Sequence, residues 1–200
     1  MSGIFNTLID FLDEEEWKYE ILEGESAVRF YFKGSSGSMF CFAHVDEEKD
    51  WLLFYSYLPV NTPDHKLAMM AEFVTRANRG MRIGNFELDY EDGEIRYKTS
   101  IDIEGGALTN KMIDNLLRAN LSTMNRYYSG MMELIYSSEE PSPKEIIHKI
   151  ESDMDHDSEN DMPGIDSSTF EGHEFPEVDE PFPEKEAEDD EEGEQRQIGS

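Results

Sequence analysis

The chain has little that would pin it covalently or anchor it. A single cysteine, Cys41, in 200 residues allows no intrachain disulfide and no thiolate-rich metal site, so a reducing, cytoplasmic setting is expected. Basic residues are scarce: 17 Lys and Arg stand against 46 Asp and Glu, a net charge of −29. Such a chain repels phosphate and anionic lipid, and neither nucleic acid nor membrane is an expected partner. No apolar run approaches the roughly 20 residues of a membrane span. The opening Met-Ser-Gly-Ile-Phe lacks the basic start of a secretory signal. Catalytic signatures are missing too. There is no GxSxG elbow, no Gly-Lys-Ser/Thr after the Gly-Ser stretch 34–38, and no metal-ligand spacing among His44, His65, His148, His156 and His173. The reading is a protein that is not an enzyme, with no cofactor and no metal.

The charge that is present is unevenly spread. Residues 1–136 hold 23 acidic and 13 basic side chains, net −10, whereas residues 137–200 hold 23 and 4, net −19. In the second part Leu, Ile, Val and Phe make up 9 of 64 residues, below the roughly 20% at which a highly charged chain stays unfolded. The expected division is one folded domain over 1–136 and a disordered acidic tail over 137–200.

Periodicity gives the elements of the domain. Ser2 can cap a helix with Ile4, Phe5, Leu8, Ile9 and Leu12 on one face, ending in the acids from Asp13 to Glu16. Alternation then predicts strands over 17–22, 28–33 and 39–45, and an apolar strand over 51–60 that suits the sheet centre or a face covered by a partner. Thr62 and Pro63 read as a helix start, Leu67, Met70, Ala71, Val74 and Ala77 as its stripe, and Gly80 as its stop. Two strands around an Asp92-Gly93 hairpin turn follow, then a long helix with Ile113, Leu117, Leu121, Met124 and Leu134 facing inward. Order α-β-β-β-β-α-β-β-α with an antiparallel sheet is an α+β domain. In the tail, 144–154 is a weak helix candidate.

Three features are candidate binding elements. Arg76, Arg79 and Arg82 lie close in sequence to Arg96 and Lys98, which predicts a basic patch for an acidic segment, set against the plain alternative of cations complementing a helix C-terminus. Phe170, Phe175 and Phe182 are apolar anchors in an acidic, Pro-containing stretch, the composition of a segment that orders on binding. Asp153, Asp155, Asp157, Glu159 and Asp161 alternate like the start of a calcium loop, but Ser158 and Gly164 occupy the positions of its turn glycine and closing Glu. Weak ion condensation is the expectation there.

The stretch from Thr75 to Ser100, with Asn78 ending a helix, Ile83-Gly84-Asn85-Phe86 opening a strand, the Asp92-Gly93 turn and the return Ile95-Arg96-Tyr97-Lys98, resembles the YbjN domain family, especially its cyanobacterial members. The resemblance spans about residues 3–136. It implies a fold similar to type III secretion chaperones and a non-enzymatic regulator or chaperone-like adaptor that binds a segment of a partner protein, as a homodimer. The alternative is a scaffold whose acidic tail grips a basic partner protein by charge and Phe anchors.

Overall fold

In the computed structural model, residues 3–154 are described. Six antiparallel strands form one sheet: β1 (Glu20–Ile21), β2 (Ala27–Lys33), β3 (Ser38–Asp46), β4 (Trp51–Tyr57), β5 (Asn85–Leu88) and β6 (Ile95–Asp102). Their order across the sheet is β1-β2-β3-β4-β6-β5. Helices α1 (Ile4–Glu14), α2 (Leu67–Asn78), α3 (Asn110–Tyr136) and α4 (Pro143–Met154) share one core with a single face of that sheet. The alternation of side chains along each strand makes this possible. Phe30, Met39, Leu52, Phe54, Ile95 and Tyr97 point inward, against Leu8, Phe73, Leu117 and Met124. The predicted α+β class and element order hold, with α4 added. Among the described residues no helix is long and apolar enough to cross a membrane.

The long α3 is held in register by polar groups that its apolar stripe conceals. Asn120 is buried, and its Nδ2 donates to the carbonyls of Phe54 (3.1 Å) and Tyr97 (3.0 Å), on β4 and β6. Asn125 accepts from the Ser36 amide (2.9 Å) and donates to Ser35 Oγ (3.0 Å), which ties the Gly-Ser turn to the helix. At its start, Thr109 Oγ1 accepts from the Met112 amide. At its end stands Lys66, only 9% exposed. Its ammonium donates to the carbonyls of Leu134 (2.7 Å), Ile135 (2.9 Å) and Ser137 (2.6 Å), groups that a helix terminus leaves without intrahelical donors.

Several local expectations differ from the structure. Ser2 lies outside the described residues, and the α1 amides of Ile4 and Phe5 donate instead to the Glu47 carboxylate (3.2 and 2.8 Å). A carboxylate there complements the positive helix start. Thr62 does not cap α2. A 3-10 turn, Asp64–Lys66, intervenes, the Thr62 hydroxyl has no hydrogen-bond partner, and its amide is spent on the Gly93 carbonyl (2.8 Å). The strand predicted over 17–22 shrinks to two residues because Trp17 is buried against Phe30 and its amide bonds the Leu12 carbonyl.

The core also runs past Tyr136. Ile146 and Ile147 of α4 are buried in it, where α4 packs on α2 and α3. Gly130 is the reason for the fit: a Cβ there would lie 2.8 Å from Ile146 Cγ2 and 2.9 Å from Ile150 Cδ1. The folded unit therefore includes α4, which composition alone assigns to the tail.

Candidate functional site

The same alternation that builds the core places a second set of side chains on the sheet face opposite the helices. Pairing aligns them in two rows. Arg29, Phe42, Tyr55, Lys98 and Asn85 stand side by side across β2, β3, β4, β6 and β5, and one step along come Tyr31, Phe40, Tyr57, Arg96 and Glu87. Phe42, Tyr55 and Tyr57 form a cluster of their own, joined by Leu22, Phe40 and Leu53 and by no helical residue among those described. The rings meet edge to face: Tyr31 with Phe40 at 5.1 Å and Phe42 with Tyr57 at 5.4 Å between centroids. Such pairs contribute about 0.5–1.5 kcal/mol beyond area burial.

Charge is concentrated at the β6 end of the rows. The Arg96 guanidinium lies 4.9 Å from the Tyr55 ring centroid, and its Nε is 2.7 Å from Glu87 Oε2, while Lys98 Nζ is 2.5 Å from Glu87 Oε1. Two cations thus share one carboxylate. Burial pushes the Glu87 carboxyl up, but the hydrogen bonds from Lys98 and Arg96 outweigh it and hold the group below the usual carboxylate value. Burial raises the Tyr57 hydroxyl to about 12 despite the opposing Arg96. A carboxyl with a lowered folded value contributes stability above its unfolded value, and that contribution is lost as pH falls through the lowered one. Acid titration of unfolding free energy should therefore fall less steeply below about pH 4.5 in Glu87→Gln; identical slopes would mean that the pair is screened out.

The five cations that sequence proximity grouped do not form one patch. Arg96 and Lys98 are on the outer face of the sheet. Arg76 and Arg79 are on the helical side, because α2 packs on the inner face. Arg76 pairs with Glu72 (2.7 Å), and Arg79 lines a groove of about 870 Å³ between α2 and α4 with Lys144, His148 and Glu151. Arg82 is exposed in the loop leading to β5. Alternation along 95–102 was the signal that separates them. The outer aromatic rows were missed as a unit, although β4, apolar on both faces, carried their trace.

Cys41 is on the helical side, buried, with burial pushing its thiol well up. Among the described residues no group of three or more His, Cys, Asp or Glu is placed to hold a metal ion. Phe170, Phe175 and Phe182, and the acids from Asp155 to Asp161, lie outside the described residues.

No curated protein matches the chain. Among solved structures it is similar to "YbjN, a putative transcription regulator from E. coli", at 13% identity, covering 62% of this chain and 89% of that one with a TM-score of 0.49. It is also similar to chains of the ExsC-ExsE complex (16% identity, 63% and 91% covered, TM-score 0.43). A third is the HopA1-SchA chaperone-effector complex (16% identity, 62% and 91% covered, TM-score 0.44). The model of one family, described as "Putative bacterial sensory transduction regulator", matches residues 5–133, which is more than half of the chain and runs from α1 through nearly all of α3. The chain belongs to that family, YbjN.

Proposed function

We propose that the protein is a non-enzymatic, cytoplasmic adaptor that captures a short extended segment of a partner protein on the outer face of its sheet, working as a homodimer. The observation that carries this reading is the pair of side-chain rows, with rings on β3 and β4 and at Tyr31 on β2, and with cations at Arg29 on β2 and at Arg96 and Lys98 on β6. Phe42, Tyr55 and Tyr57 are themselves buried and form a rigid base, so the half-buried Tyr31, Phe40 and Leu53 supply the contact area, and flanking cations select the charge of the partner. A segment that alternates apolar with acidic side chains fits both. Arg96 and Lys98 are its proposed polar contacts, whereas Arg76, Arg79 and Arg82 belong to the other side. The one thiol is sequestered in the core, which agrees with a role free of nucleophilic chemistry.

A photocrosslinking residue at Leu53, on the outer face, should give adducts with a partner chain, and the same residue at Glu72, on α2, should not. Adducts confined to position 72 would overturn the assignment. The rival, an acidic tail gripping a basic partner, predicts adduct yields that collapse above physiological ionic strength.

A further inference from the structure

We infer that β5 is a latent pairing edge, matched to β5 of a second copy of this chain, and that the Asn78 carboxamide holds it closed by standing in for the missing strand. The inference is independent of capture on the outer face. β5 ends the strand order, so one side of its backbone lies beyond the ladder with β6. The Asp89 amide donates to the Glu94 carbonyl (2.9 Å). Odd-numbered residues therefore bond inward to β6, and the main-chain groups of Phe86 and Leu88 turn outward. An outward row of this kind is a template for another chain.

Asn78, the last residue of α2, covers that row at Phe86. The Phe86 amide donates to Asn78 Oδ1 (2.7 Å), and Asn78 Nδ2 donates back to the Phe86 carbonyl (3.0 Å). Two reciprocal bonds with one residue are what an opposing strand supplies in a hydrogen-bonded antiparallel pair. The Asn85 carboxamide adds a longer contact to the same carbonyl (3.4 Å). Both partners are held in place. α2 packs on β5, and the Phe86 ring is buried against Tyr97 and Tyr127 (4.7 and 5.5 Å between centroids). The Tyr97 hydroxyl donates to the Ile83 carbonyl, which fixes the entry to the strand.

The surroundings of the edge identify the strand it excludes. Ile83 and Tyr90, on either side of β5, are 50% and 59% exposed and offer apolar surface to an added strand. A second β5 laid antiparallel, Phe86 opposite Phe86, places Asn85 across from Glu87 and, farther out, Arg82 across from Tyr90. No acid then faces an acid, and a cation meets a ring. At the other end of the sheet β1 has only two residues, a short edge that offers little to pair with. The longer edge is the one that carries the carboxamide.

The test compares the full-length parent with Asn78→Ala and with Gly105→Ala, a destabilised control beyond the far end of β6. In sedimentation equilibrium at equal, high protein concentration, N78A should reach about twice the parent's weight-average mass, and G105A should match the parent. Amide exchange at Phe86 and Leu88 of N78A should be fast in dilute solution and slow on concentration. Adding Ile83→Glu, which sets an acid across from Asp89, should return N78A to the parent's mass. Asn78→Ser keeps a polar group at the helix end but cannot make both bonds, and is scored in the same way if N78A fails to fold. A mass equal to the parent's in the folded Asn78 variant, equal association of G105A, or association unchanged by I83E would overturn the inference.

Discussion

Gly93→Ala is expected to destabilise the domain by about 3–5 kcal/mol, among the largest effects of a single methyl group. Gly93 holds φ at +79°, where a side chain costs roughly 1–2 kcal/mol. An added Cβ would also lie 2.1 Å from the Thr62 carbonyl oxygen. That oxygen is backbone, and Thr62 is fixed by its own amide bond to the Gly93 carbonyl (2.8 Å), so the clash cannot be relieved without losing the bond. Gly105 is the control. It has φ of +67° with nothing within 4 Å of an added methyl, so Gly105→Ala should cost only the conformational term, about 1–2 kcal/mol. Equal losses in denaturant titrations of the two variants would show that the Thr62 contact yields freely.

Lys66→Met should cost about 2–4 kcal/mol. Methionine keeps much of the apolar stem and removes the ammonium, leaving the carbonyls of Leu134, Ile135 and Ser137 without their charged donor inside a packed region. Because Ser137 begins the link to α4, the loss should be local as well as global. Amide exchange in α4 should accelerate more than exchange in β3. A thermal midpoint within about 1 °C of the parent, when 2 kcal/mol is worth roughly 4–8 °C in a domain of this size, would count against the role assigned to Lys66.

Much of this architecture was legible because it depends on local period. Alternation over 28–33 and 95–102 and the helical stripe from Ile113 to Leu134 each fix which face is buried, and the Asp-Gly pair fixes a turn. The candidate site was legible in pieces only. Arg76 and Arg96 are near in sequence yet on opposite sides of the sheet, and nothing local says that α2 packs inward. Conversely, Arg29, Phe42, Tyr55 and Lys98 are dispersed along the chain and meet only through pairing. Lys66 and Asn120 escaped for a related reason: each satisfies carbonyls on elements far away in sequence, so neither leaves a local pattern. The boundary at Tyr136 failed because α4 borrows its core. Its short run of isoleucines is too small to fold alone and suffices once Gly130 lets it sit close.

The strand order has a consequence for biosynthesis. β4 pairs with β6 and not with β5, so its free edge waits for a partner that arrives late; Tyr57 and Arg96, neighbours in the ladder, are 39 residues apart. At about 5–20 residues per second on the ribosome, that edge, with Phe54, Tyr55 and Tyr57 on it, stays open for roughly 2–8 s. During this interval the nascent chain presents an unpaired aromatic strand, the kind of edge that recruits other strands into aggregates. Slower elongation through residues 58–95 should lower the soluble yield, and faster elongation should raise it.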